Sequence, residues 1–232
     1  MEKQPVDILL ITAHPDDAEF GVAGSVARWT DEGRSVAYVV CTSGGKGSGD
    51  RNMTPEKLIG VREKEQRAAA ASLGVSEVVF LGYEDQGIED TPAFRKHLVE
   101  MIRLFKPQTV ISSDPYRKYI WHRDHRVLGQ VVVDALFPFA RDHMAYPDLL
   151  AKGLEPHKVK EALFFGADDI NYRVDISATI DRKIEALKCH ESQMEGMGVE
   201  RMQKWVRKRA EDTAEGSEYS LAEGFYQVIL PP

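Results

Sequence analysis

Only two cysteines, Cys41 and Cys189, occur in the 232 residues. They could form one bridge at most, and a chain of this length buries enough apolar surface to need none. The sequence therefore points to a reducing, cytoplasmic setting rather than a disulfide scaffold. Excess positive charge is also missing, since 37 acidic against 30 basic side chains leave a net charge of −7. Nonspecific nucleic-acid binding requires a strong cationic field, so it is excluded, and a small molecule is the expected ligand. No apolar run reaches membrane-spanning length and no leader pattern opens the chain, so no membrane partner and no signal peptide are expected. Repeats, low-complexity tracts and linkers are absent as well, which makes 1–232 a single expected domain.

What is present is an alternation of short β-rich runs with longer helical stretches. Strands are predicted near 6–12, 35–41, 77–82, 108–112 and 161–165, with a weaker one near 224–230. Helical patterns fill the intervals. One over 20–32 ends at Gly33, suited to a left-handed cap, while Thr54-Pro55 and Thr91-Pro92 each place an N-cap before proline at the first helical position. The second helix runs to Gly74 and the third to about Lys106; others begin near His125 and span 179–193. A charged stretch from Glu200 to Glu218 reads as an amphipathic helix burying Met202, Trp205 and Val206. The pattern is α/β: a mostly parallel sheet of βαβ units between helical layers.

Polar clusters interrupt this pattern at strand ends. The first strand runs into Ala13-His14-Pro15-Asp16-Asp17, and the strand near 108–112 runs into SSDPYRKYIWHRDH, residues 112–125. In doubly wound sheets ligands bind beyond the carboxyl ends of the strands, so both clusters emerge on one rim. His14 and Asp17 are three residues apart across a strand-to-helix turn, and His122 and His125 repeat that spacing. Two imidazoles and a carboxylate can hold a divalent metal and leave positions open for water and substrate. Adjacent aspartates at a strand end are costly to desolvate without a cation or donor partner. His14, Asp17 and His125 are taken as the ligand set, which leaves Asp16 and His122 beside the metal as an acid/base pair.

The substrate-facing residues are read more broadly. Tyr116, Tyr119 and Trp121 flank His122; their rings suit the apolar face of a pyranose or core packing equally. Arg62 is either solvated or a contact for sugar hydroxyls, and Asp124 is either a partner of His122 or a first-turn acid favoured by the helix dipole. Arg117, Lys118, Arg123 and Arg126 place four cations around the site, giving an expectation of an anionic group on the substrate to set against local pairing with acids. The glycine-rich segment 42–50 lacks the lysine and hydroxyl order of a P-loop and reads as a loop. Cys41 and Cys189 read as buried thiols, and His190 as structural support.

The residues Ala13-His14-Pro15-Asp16-Asp17-Ala18-Glu19, followed by Gly21 and Gly24, resemble the signature of the LmbE-like, or PIG-L, N-acetylglucosamine deacetylases. His122-x-Asp124-His125, the helix Arg62 to Gly74 and KCHESQ at 188–193 are similar too, so the resemblance runs over about residues 6–193. It implies a Rossmann-like three-layer sandwich and zinc, with Fe2+ as an alternative, held by His14, Asp17 and His125. It further implies Asp16 as general base and His122 as the residue stabilising the tetrahedral intermediate; in the chemistry this requires, Asp124 is expected as a catalytic residue that orients or charges the His122 imidazole. Substrate contacts are expected from Arg62, Trp121 and Arg123, the last standing where the family has proline, which bears on loop shape and substrate preference. The expected reaction is removal of acetyl from an N-acetylglucosamine unit of a small glycoside, and a homo-oligomer is expected. Two alternatives stand beside it: hydrolysis of another N-acyl amide in a natural-product pathway, and a sugar-binding paralogue that keeps the metal without turnover.

Overall fold

The computed structural model describes residues 4–119, 121–194 and 198–232, so Ile120 of the loop 115–126 lies outside the described residues. Seven strands are found among them: β1 Ile8–Thr12, β2 Val36–Thr42, β3 Glu77–Tyr83, β4 Thr109–Ser113, β5 Glu161–Phe165, β6 Tyr172–Asp175 and β7 Ala222–Ile229. The α-helices are α1 Asp17–Asp31, α2 Pro55–Ser72, α3 Pro92–Phe105, α4 Arg123–Asp134, α5 Pro147–Ala151, α6 Ile180–Lys188, α7 Glu191–Met194 and α8 Val199–Ala214. The sheet order is β3-β2-β1-β4-β5-β7-β6, with β7 alone antiparallel to its neighbours. The order reverses between β1 and β4, the position where doubly wound sheets have their ligand crevice, beyond the carboxyl ends of the strands.

Period-two alternation along the inner strands fills both sides of the sheet. Ile8 and Leu10 of β1 and Val36 and Tyr38 of β2 face the core under α1, α2, α6 and α8. Leu9, Ile11, Ala37, Val39 and Cys41 face the opposite core, under α3 and α4. Helix against sheet against helix is the three-layer arrangement expected. Its caps also agree with the sequence reading: Thr54 accepts from the Lys57 N–H at 3.3 Å, Thr91 from the Phe94 N–H at 3.1 Å, and Gly33 has a φ of 83°.

Several local expectations are corrected. The helix read over 179–193 breaks at Cys189-His190 into α6 and α7, and β6 was missed because its four residues are too short to show periodicity. Cys189 is half-buried rather than buried. Trp205 is 40% exposed and lies edge-on to Phe20, so Met202 and Val206 carry the buried face of α8.

One buried ion pair ties the back layer together. Lys183 of α6 meets Glu223 of β7 and donates to the Phe20 carbonyl at 2.9 Å, while Glu223 accepts from the Gly24 and Ser25 N–H groups of α1 at 3.1 and 2.7 Å. Each charge is satisfied only by the others, and breaking such a pair by removing one partner leaves a buried charge. Glu223→Ala is therefore expected to lower unfolding stability by about 3–5 kcal/mol in denaturant titrations. Lys183→Met combined with Glu223→Leu should recover most of it.

Candidate active site

The crevice between β1 and β4 collects side chains that follow three strands, β1, β3 and β4. Beyond β1, Asp17 opens α1 and turns its carboxylate back so that Oδ2 accepts from the Ala13 and His14 N–H groups at 3.1 and 2.8 Å. The His14 ring is thereby set over the crevice. Its Nδ1 faces Nε2 of His125 at 3.2 Å and the Asp17 carboxylate at 3.5 Å, and His125 Nε2 lies 3.0 Å from Asp17 Oδ1. On its other edge, His14 Nε2 is 3.1 Å from Asp124 Oδ2 and 3.2 Å from Asp85 Oδ1. These carboxylates push the His14 pKa up to about 12 against the opposing effect of burial.

Such an arrangement fits a divalent cation. A cation would displace the Nδ1 proton while Nε2–H stays donated to the carboxylates, and the freed Nδ1 lone pair would then lie beside a second imidazole nitrogen and a carboxylate. Donors bound tetrahedrally at about 2.0–2.1 Å from an ion stand about 3.3 Å apart, comparable to the spacing seen. A bonded carboxylate behind a ligating histidine is the usual means of fixing its tautomer. Candidate metal-holding groups are His14 with His122 and His125, and His14 with Asp85 and Asp124. Asp124 Oδ1 is buried without a hydrogen-bond partner among the described residues, a further acceptor in an already acidic cluster.

Asp16, which caps α1 with a φ of 86°, keeps 15% of its side chain exposed to the crevice. Burial and the adjacent Asp17 charge push its pKa up to about 7, while Arg62 opposes the rise. His122 caps α4: its Nδ1 accepts from the Asp124 N–H at 3.3 Å, which makes Nε2 the protonated nitrogen. The ring stands edge-on to His14 at 4.5 Å between centroids. Burial and the neighbouring imidazoles lower its pKa, so it is held as neutral imidazole.

The partner expected of Asp124 is therefore different. Its carboxylate leaves His122 aside and accepts instead from His14 and from the Gln86 N–H at 2.8 Å. Arg62 is only 4% exposed; it donates to Asp16 at 3.2 Å, to the Pro15 carbonyl at 2.7 Å and to the Gly44 carbonyl at 3.2 Å. Arg123 turns to the loop after β3, where it donates to the Ile88 carbonyl and approaches Glu89. Trp121 is 92% exposed beside His122, which removes core packing from its two readings.

The other basic-loop residues have local partners. Arg117 lies 3.6 Å from Asp168, the Lys118 N–H donates to Asp168, and Arg126 donates to the Trp121 carbonyl. Asp85, absent from the sequence reading, follows β3 and also accepts from the Lys46 N–H at 3.0 Å. Its signal was available: an acid just past the end of a parallel strand, on the rim already marked by two other strands.

The chain matches the PIG-L family, described as GlcNAc-PI de-N-acetylase, over residues 9–136. It is 34% identical to diacetylchitobiose deacetylase of Thermococcus kodakarensis, covering 80% of this chain and 69% of that protein. It is 30% identical to a probable N-acetyl-alpha-D-glucosaminyl L-malate deacetylase 2 of Bacillus anthracis, with 80% of each chain covered. The fold superposes with a TM-score of 0.91 on N,N'-diacetylchitobiose deacetylase from Pyrococcus horikoshii, at 28% identity over 98% of this chain and 84% of the other. The protein belongs to the PIG-L family. No helix among the described residues is long and apolar enough to cross a membrane.

If Asp124 orients His14, Asp124→Asn should weaken divalent-ion binding by about 10–100-fold in competition with a chromogenic chelator. Unchanged affinity would remove Asp124 from that role.

Proposed function

We propose that the protein is a metal-dependent N-deacetylase that hydrolyses the acetamido group of an N-acetylglucosamine unit in a small glycoside. The observation that carries this reading is the convergence of His14 Nδ1, His125 Nε2 and the Asp17 carboxylate within 3.0–3.5 Å, beside a carboxylate not used in that set, Asp16. The names of the relatives, a diacetylchitobiose deacetylase and a probable N-acetyl-alpha-D-glucosaminyl L-malate deacetylase 2, support an N-acetylated sugar as the substrate class.

In this reading His14, Asp17 and His125 hold the ion, taken as Zn2+ because two imidazoles and one carboxylate are a familiar zinc set, with Fe2+ as the alternative. When bound, it supplies acidification of water and polarisation of the acetyl carbonyl. Asp16 accepts the proton of the attacking water, its displaced pKa matching that task near neutral pH. Arg62 holds the Asp16 carboxylate from behind and steers it toward the open side of the crevice. His122, with Nε2–H free of intramolecular partners among the described residues, donates to the oxygen that gathers charge as the carbonyl becomes tetrahedral. Asp16 then returns its proton to the leaving amine, so no net proton is consumed in that transfer.

Beyond the acetamide, Trp121 offers an exposed ring to the sugar face. Arg123 sets the loop between β3 and α3 rather than meeting substrate, and Asp124 keeps His14 in register. A single domain over 1–232 and a homo-oligomer complete the proposal.

Acetate release from a panel of N-acetylated sugars tests the reaction; release from none of them would reject it. His14→Ala, Asp17→Ala and His125→Ala should each lose stoichiometric metal by elemental analysis along with activity. Asp16→Asn should keep the metal and lose about 100-fold or more in kcat. A near-normal kcat in Asp16→Asn would take the proton transfer away from this residue.

A further inference from the structure

Asp16 adopts φ 86° and ψ −24°, a left-handed conformation that costs a residue with a Cβ about 1 kcal/mol or more. It persists only where the surroundings dictate it. The Asp16 side chain makes no capping bond to α1, so the restraint comes from outside the turn. Arg62 and Gln66, one turn apart on the buried stripe of α2, supply it.

Arg62 grips the Asp16 carboxylate and the Pro15 carbonyl, whereas Gln66 takes the backbone. Gln66 Oε1 accepts from the Asp16 N–H at 2.9 Å, and Gln66 Nε2 donates to both oxygens of Glu19 at 3.0 and 3.1 Å. Glu19 in turn pairs with His190 Nε2 at 3.0 Å, and Glu19, Gln66 and His190 have no exposed surface. The carboxamide has one workable orientation: a peptide donor at one end and a carboxylate acceptor at the other forbid its flip. These three residues cannot touch substrate, yet the chain they form ends on the amide of the residue that must be aimed.

We propose that Gln66, Glu19 and His190 are positioning residues that lock the left-handed backbone of Asp16 and so aim its carboxylate, an inference that rests on Asp16 being the proton acceptor. A chain serving only to pack α1 against α2 and the α6–α7 junction would affect stability alone. A positioning chain affects turnover, because a small misplacement of a reacting group costs rate before it costs binding.

Gln66→Met removes both bonds at nearly constant shape, His190→Phe removes the last link, and His190→Gln retains a donor. For Gln66→Met, kcat should fall about 10-fold or more, with KM within about 2-fold and metal content unchanged. His190→Phe should show the same pattern more weakly, and His190→Gln should recover it. Independently of activity, hydrogen exchange at the Asp16 amide should be slow in the unaltered protein and at least about 10-fold faster in Gln66→Met. Normal kcat with fast exchange, or exchange unchanged by the substitution, would overturn the proposal. If Gln66→Met does not fold, rapid exchange at Asp16 in the unaltered protein overturns it by itself. If no N-acetylated sugar is cleaved at all, the deacetylase reading fails while the exchange comparison still decides whether this chain holds Asp16.

Discussion

Four carboxylates crowd around one histidine, and the molecule is organised to tolerate them. Asp17 and His125 meet one edge of His14, and Asp85 and Asp124 the other, with Asp16 beside them. Like charges at this density repel strongly in a partly buried crevice. Imidazoles, backbone N–H groups and Arg62 offset part of that repulsion, and the remainder is what makes the cluster hospitable to a cation. Because these groups come from loops after β1, β3 and β4, the sheet must hold those strand ends at fixed separations.

The neighbouring layers serve that requirement in different ways. Above the cleft, α2 presents a buried polar stripe, Arg62 and Gln66, in a helix whose remaining buried residues are Leu58, Ala69 and Ala70. Small residues let α1 sit close: a Cβ at Gly24 would come within 2.9 Å of Ile176, and one at Gly21 within 2.8 Å of Phe165. Behind α1, the Lys183–Glu223 pair anchors the same helix whose first turn carries Asp17 and Glu19. On the other side, the buried Arg103 guanidinium gathers the carbonyls of Phe139, Ala140, Asp142 and Ala145, securing the segment that follows α4.

The loop after β4 is less constrained. It exposes Tyr116, Tyr119 and Trp121, and its Arg117 and Arg126 guanidinium groups are engaged by Asp168 and the Trp121 carbonyl, while the Lys118 ammonium lies over the Tyr119 ring. Exposed pairs of that kind contribute little energy and exchange partners readily. The clustered His and Asp groups are thus fixed by several bonds each and the residues of this loop by few, a division common where loops vary on a rigid scaffold.

Read by itself, the sequence determined the layers and where chemistry would gather. Alternation in Ile8–Ile11 and Val36–Cys41 encodes two buried sheet faces, and Thr54-Pro55, Thr91-Pro92 and Gly33 mark helix ends, because these signals act within one turn or one strand. His14, Asp16, Asp17, His122, Asp124 and His125 announced themselves as polar residues at the ends of apolar runs. Which of them pair was decided only in three dimensions. The Asp124 carboxylate bonds His14 across 110 positions rather than the ring of its neighbour His122, Arg62 turns inward to Asp16, and Gln66 reaches Glu19 across 47. Asp85 joins from a third strand. Local patterns fix the direction of a side chain relative to its own element; its partner depends on how that element packs against others, through contacts spread along the whole chain.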